Sequence, residues 1–368
     1  MTSPRIRAFN LLPIKNDLEE IKAKANKIAK DLKEEFSFEM FEALFYDKPQ
    51  KSKSRVKIYA LFKEYIDNLM KQEQIGTAKS YITAQKSIQT YALNLALKEI
   101  IPQFLYAFEK QMLDKGRSIS TVSIYLRSLR TIMNIAKEKG LLAPFLYPFG
   151  SRMKKKYEEP IARNIKKALE IEDIRKIKKV EIIEEDADFT RNIWLFSFYC
   201  NGMNIADICK MKHHNIDDGF IYFFRAKTIR TERDKTPIEV YLSEPAEKII
   251  SKWSSLTGKP NDYIFPVLKP GLSVEEEHCL ICNFTRSINH YMKKLAAGLG
   301  IKSNLTTYVA SHSYATSVCM ANEVSMDNVA KMLGHSDTKM TRHYARVLDK
   351  SIMRDMTSIN AKFSIQET

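Results

Sequence analysis

Ser311-His312, Leu333-Gly334-His335 and Tyr344 fall within 34 residues near the C-terminus, and Tyr344 stands nine positions after His335. This spacing puts an imidazole in the turn before a short predicted helix and a phenol on that helix, close enough to serve one phosphate. A phenol has a pKa near about 10 and needs positive neighbours or a base before it attacks at neutral pH. Arg342, His343 and Arg346 surround this one in Thr341-Arg-His-Tyr-Ala-Arg346, which separates it from the other tyrosines among the chain's 17. Lys227, in Arg225-Ala-Lys-Thr-Ile-Arg230, falls at the tip of a predicted hairpin. A flexible ammonium there can protonate a leaving oxygen or pair with a phosphate, although an ordinary turn lysine has the same signature.

The charge balance suits a polyanion. Lys and Arg number 59 against 44 Asp and Glu over 368 residues, a formal net charge of +15 and a pI near 9.3. Neutralising phosphates releases condensed counterions, so double-stranded DNA is the expected partner. An anionic membrane surface would also attract this charge, but there is no apolar run long enough to span a bilayer and no lipidation signal. Met1 to Leu12 lack the pattern of a signal peptide, which implies a cytoplasmic, nucleoid-associated protein. Five cysteines on such a chain are expected to be reduced thiols. Cys279-Leu-Ile-Cys282, beside His278, has no partners in the sequence for a zinc site, so no metal is expected.

The elements that would position these groups are mainly helical with a small β-sheet, an α+β pattern. Residues 1–54 read as a charged helical segment and linker, helical over 13–44 and ending in Lys48-Pro-Gln-Lys-Ser-Lys-Ser54. Residues 55–143 show helical periodicity, as at Ile58, Leu61, Phe62, Ile66 and Leu69, broken into about four helices. Between 55 and 160 there are 18 Lys and Arg against 9 Asp and Glu. Lys79, Arg117, Arg127 and Arg130 stand near predicted helix starts, where side chains and backbone amides suit phosphate contact; a merely solvated face is the other reading. Residues 144–160, with Lys154-Lys-Lys156, read as an extended basic linker, either a tether or the closing strap of a clamp around a duplex. In 161–355, helices are expected near 170–179, 187–200, 244–256, 283–298, 309–322, 325–333 and 337–348. A hairpin is expected from Phe220–Arg225 and Ile238–Leu242. Residues 356–368 form a tail.

The order and spacing of these motifs resemble the tyrosine recombinase (integrase) family over most of the chain. Ile75-Gly-Thr-Ala-Lys-Ser-Tyr81 and Ser120-Thr-Val-Ser-Ile-Tyr-Leu-Arg127 are similar to stretches of its helical core-binding domain, and Leu333-Gly-His-Ser-Asp-Thr338 to its catalytic domain. The resemblance implies that Tyr344 attacks the scissile phosphate, forming a 3′-phosphotyrosine and freeing a 5′-hydroxyl, with neither nucleotide cofactor nor metal. It makes His335 the phosphate-side histidine, Lys227 the general acid and His312 a further member of the site. It also implies four protomers on two duplexes, with DNA-bending accessory proteins as conceivable partners.

Two departures stand out. The family's first arginine usually follows a Gly and an apolar residue, where this chain has Gly202-Met-Asn204; a subgroup places it before that Gly, where this chain has Asn201, the preferred position here. The second belongs to a His-x-x-Arg-His pattern, which reads Tyr308-Val-Ala-Ser311-His312. Both guanidiniums would clamp the nonbridging oxygens of the pentavalent phosphate. Losing two such groups costs roughly 5–10 kcal/mol if additive. Arg191, Arg230, Arg342 or Arg346 could substitute, Arg191 first because it begins the helix that ends near Asn201. The alternative is a DNA-binding protein on the recombinase fold that acts by occupying or organising sites without cutting. Relaxation of supercoils by the related topoisomerase chemistry fits less well, because the core-binding unit resembles the recombinases.

Overall fold

A computed structural model describes residues 12–32, 36, 38–46, 57–161, 168–227, 229, 236–254, 258–319 and 324–333. The chain divides into two compact units, Met1–Arg163 and Asn164–Thr368.

In the first unit, α1 (Leu12–Leu32) and α2 (Phe38–Phe45) occupy the stretch expected to be one helical run. Four further helices follow: α3 (Ile58–Lys71), α4 (Ile75–Tyr91), α5 (Pro102–Asp114) and α6 (Ile119–Glu138). Ile58, Leu61, Phe62, Ile66 and Leu69 of α3 are buried, which is the three-and-four spacing of one helix face. They pack with Leu105 and Phe108 of α5 and with Val122, Leu126, Leu129 and Met133 of α6. Pro102 opens α5, where a missing N–H costs nothing, and the Ser118 hydroxyl accepts the Thr121 amide at 3.2 Å to cap α6.

Residues 144–157, expected to run extended, fold instead onto this unit. Two single-turn 3₁₀ segments, Pro144–Leu146 and Arg152–Lys154, bracket a bridge between Phe149 and Tyr157. Both aromatics are buried in the helical core, and the Tyr157 hydroxyl donates to Glu109 at 2.6 Å. Two large aromatic side chains outweigh the polar, Pro- and Lys-rich composition that suggested a tether, because burying each is worth about 2–3 kcal/mol.

The second unit contains α7 (Ile171–Lys179), α8 (Glu185–Tyr199), α9 (Ile205–Lys210), α10 (Glu244–Trp253), α11 (Val274–Gly298), α12 (Thr307–Ser313) and α13 (Met326–Met332). Beyond α12 the chain widens into a π turn over Tyr314–Cys319. Three antiparallel strands, β1 (Ile216–Asp217), β2 (Phe220–Phe223) and β3 (Ile238–Tyr241), pair in the order β1-β2-β3, with Ile221 opposite Val240 and both buried. Helix α8 is the hub. It packs against α10, α11 and α12, and its Trp194 indole N–H donates to the Thr306 carbonyl at 3.0 Å. Helix α11 begins nine residues earlier than the expected 283, because Ser273 and Glu276 form a capping box with Glu276 N–H to Ser273 Oγ at 3.3 Å and Ser273 N–H to Glu276 Oε2 at 2.8 Å. Cys279 and Cys282 therefore lie inside a helix rather than at its start. The Cys282 thiol lies 3.4 Å from His278 Nε2.

Asp188 anchors α8 to its surroundings. Its carboxylate, 5% exposed, pairs with Arg191 and Lys252. Burial pushes this carboxyl up, but Lys252 and Arg191 more than offset it and hold it below the usual carboxylate range. Asp188→Asn is expected to destabilise the second unit by about 1.5–3 kcal/mol, the worth of hydrogen bonds to charged groups. A depressed folded-state pKa contributes stability above the unfolded value, near about pH 4, and loses it as the pH falls through the folded value. Urea unfolding should thus show the difference between wild type and variant shrinking below about pH 4; a gap that widens on acidification would refute this account.

Candidate active site

The turn joining α8 to α9 carries both asparagines. Past Tyr199 the backbone enters the left-handed region at Asn201 (φ 55°) and Gly202 (φ 72°). Asparagine tolerates this conformation better than most residues, and glycine adopts it freely. Asn204 ends the turn by accepting the Ala206 amide at 3.0 Å, which caps α9. Its side chain is thus spent on a backbone donor.

Ser311 closes on this turn from α12. Its hydroxyl donates to the Gly202 carbonyl at 2.6 Å, and a Cβ on Gly202 would lie only 2.4 Å from Ser311 Cα. The two stretches in which the resemblance places the arginines are therefore packed directly against each other, 109 residues apart in sequence. His312 beside Ser311 is buried, at 5% exposure, whereas Tyr308 one turn earlier is 62% exposed.

A cleft opens beside this junction. Asn201, Gly202 and Asn204 line one side, with Asp207 of α9 below them. Phe223 and Arg225 contribute from the hairpin, and Met332 and Leu333 from the end of α13. Asp207 is buried and accepts the Ala226 amide at 2.9 Å, which ties the base of the hairpin to α9. Burial pushes its carboxyl above the usual range, while the Ala226 amide, Arg225 and Lys210 pull the other way. Arg225, half-buried and two residues before Lys227, is not among the site residues that the sequence singles out. The signal available was a cation directly after an apolar strand, at the base rather than the tip of the hairpin.

Lys227 is exposed in the turn that follows β2. The chain leaves the cleft wall at Leu333, two residues before His335. His335 and Tyr344 lie outside the described residues, as do Arg230, Arg342 and Arg346. Arg191 is engaged elsewhere. Its Nη1 donates to the Val180 carbonyl at 2.7 Å and the Lys178 carbonyl at 3.3 Å at the end of α7, and its Nη2 donates to Asp188. It also lies in the middle of α8, nearly three turns before Asn201, rather than at the helix start where the sequence put it.

In the helical unit, Lys79 of α4 and Arg117, between α5 and α6, are exposed. Arg127 and Arg130 lie about two and three turns past the start of α6 rather than at it, so only their side chains, and no unpaired helix-start amides, are available there. The Arg127 Nε donates to the Ser123 carbonyl at 3.3 Å, and Arg130 pairs with Glu159 at 3.3 Å. Among the described residues no group of three or more His, Cys, Asp or Glu is arranged to hold a metal ion, and no helix is long and apolar enough to cross a membrane.

No curated protein sequence matches the chain. The fold is similar to that of a lambda integrase dimer bound to a COC′ core site, with a TM-score of 0.58 at 15% identity, covering 80% of this chain and 97% of that one. It is similar also to a lambda integrase tetramer bound to a Holliday junction, with a TM-score of 0.56 at 15% identity and coverage of 92% and 90%. The XerH site-specific recombinase in a post-cleavage complex with a palindromic difH substrate gives 0.52 at 16% identity, covering 77% and 79%. Residues 57–157 match the phage integrase SAM-like domain, and residues 151–351, more than half of the chain, match the phage integrase family. The chain belongs to the phage integrase family of tyrosine-type, site-specific DNA recombinases.

Proposed function

We propose that this recombinase cuts and rejoins DNA through Tyr344. The phenol, its proton released to water under the influence of the cations Arg342 and Arg346 beside it in sequence, attacks as the phenolate, and its oxygen bonds to the scissile phosphorus as the bond to the 5′-oxygen breaks; Lys227 donates the proton that leaves with the 5′-hydroxyl, and His335 stabilises the phosphate. The bond energy stays in the 3′-phosphotyrosine, and attack by a 5′-hydroxyl of the partner strand releases the tyrosine. The observation that supports this reading is that the Asn201–Asn204 turn, on which Ser311 packs, the hairpin base at Arg225 and Leu333, two residues before His335 in sequence, line one cleft. Duplex DNA is the substrate, with Lys79, Arg117 and Arg127 of the 55–143 core-binding unit as backbone contacts. A dimer on a core site and a tetramer on a junction are the assemblies of the solved lambda integrase relatives, and the same tetramer on two duplexes is proposed here. DNA-bending accessory proteins would act at that stage. Arg191 is assigned to the fold rather than to the phosphate, because its donors face α7 and Asp188.

A second reading has an observation in its favour. With Asn201, Asn204 and Ser311 at the expected arginine positions, and Ser311 and Asn204 bonded to backbone, the cleft edge offers neutral donors only at those sites. A DNA-binding protein that organises sites without cutting them would look the same there. The two readings part on incubation with nicked duplexes tiled from the DNA flanking the gene. The natural protein is expected to yield a denaturant-resistant adduct. Adduct formed only by an Asn201→Arg/Ser311→Arg variant would instead establish the non-cutting reading.

A further inference from the structure

We propose that Arg225 is the catalytic cation that clamps the scissile phosphate in this chain, in place of the arginines absent at Asn201 or Asn204 and at Ser311; this rests on the cleavage reading above. Among the described residues lining the cleft, Arg225 is the one Lys or Arg. It shares that cleft with Asn201 and Asn204, two of the positions at which the resemblance places an arginine. It also lies two residues before Lys227, and the opposite wall, at Leu333, leads in two residues to His335.

The local structure prepares Arg225 for this role. The buried Asp207 carboxylate fixes the next residue through the Ala226 amide at 2.9 Å and attracts the guanidinium electrostatically. A fixed hairpin base lowers the reorganisation needed when charge develops on the phosphate. The planar fork of arginine can meet two nonbridging oxygens at once, which neither asparagine nor serine can do with charge. A purely structural role, neutralising Asp207, is the competing account.

The experiment uses the full chain with the nicked duplexes described above, and it has two readouts. The first is the rate of adduct formation. Arg225→Ala is expected to lower it by about 10²–10³, the usual effect of deleting one preorganised transition-state donor, with DNA affinity changed less than about threefold. Arg225→Ala/Asp207→Asn removes any unpaired buried carboxylate, so it should recover the wild-type melting temperature and remain slow. A neutral methylphosphonate at the mapped cleavage position should restore adduct to Arg225→Ala, since it removes the charge that the guanidinium meets. The second readout is labelling of Arg225 by phenylglyoxal, which the duplex should suppress whether or not the strand is cut. An Arg225→Ala rate within threefold of wild type, or recovery of cleavage in the double variant, would overturn the proposal. So would unchanged labelling on DNA. Protection without adduct from any variant would remove the cleavage reading while establishing Arg225 as a DNA phosphate contact.

Discussion

Tyr344→Phe is expected to bind its DNA as the natural chain does and to form no covalent adduct with it. The substitution removes one oxygen and no charge, so the basic surface that supplies affinity is unchanged. What is lost is the atom that bonds to phosphorus. Removal of an enzyme nucleophile has cost on the order of 10⁶ in rate where it has been dissected, far below detection in a trapping gel. Affinity by fluorescence anisotropy should stay within about twofold while the adduct band disappears. The chain has 17 tyrosines, and Tyr308 stands 62% exposed one turn before Ser311 and His312. Equal capture by Tyr344→Phe would move the nucleophile to such a phenol and dismantle the assignment of His335 and Lys227 around it.

How much of this was legible in the sequence depends on what kind of signal each element carries. Helices α3 to α6 were visible because their cores repeat at three and four residues and their ends carry Pro102 and Ser118. The start of α11 was missed because its signal is a local capping box, Ser273 with Glu276, ahead of the apolar stripe. Strand β1 has only two residues, too few for alternation to show. The segment 144–157 was misread because composition was weighed above its aromatics, yet Phe149 and Tyr157 decide where it lies. In the site, motif spacing led to the junction of Asn201–Gly202 with Ser311 only by way of a family resemblance, because nothing local links residues 109 apart. Sequence distance from Asn201 favoured Arg191, whereas the direction of a side chain on a helix gave it to the carbonyls ending α7.

The same junction makes Gly202→Ala a damaging substitution in the second unit. Gly202 has φ 72°, where an L-residue costs about 1–2 kcal/mol. Its new Cβ would sit 2.4 Å from Ser311 Cα and 2.6 Å from Ser311 Oγ, so backbone rather than a flexible side chain must yield. Overpacking of this kind adds about 1–3 kcal/mol, giving a loss of roughly 2–5 kcal/mol in chemical unfolding. The consequence for chemistry follows from where the strain is relieved. Moving α12 away breaks the Ser311 hydroxyl bond to the Gly202 carbonyl, and moving the turn shifts Asn201 and Asn204 at the cleft edge. Either displacement, of about 1 Å, is of the size that costs roughly 10² in rate when it misplaces reacting groups. Gly202→Ala should therefore lose both stability and adduct formation while still binding DNA through the helical unit. Ser311→Ala, which removes the bond without forcing the backbones apart, should lose only about 1 kcal/mol and keep more of its cleavage. If Gly202→Ala is as stable and as active as the natural chain, the α8–α9 turn does not rest on α12 as described, and the cleft built on that contact has a different shape.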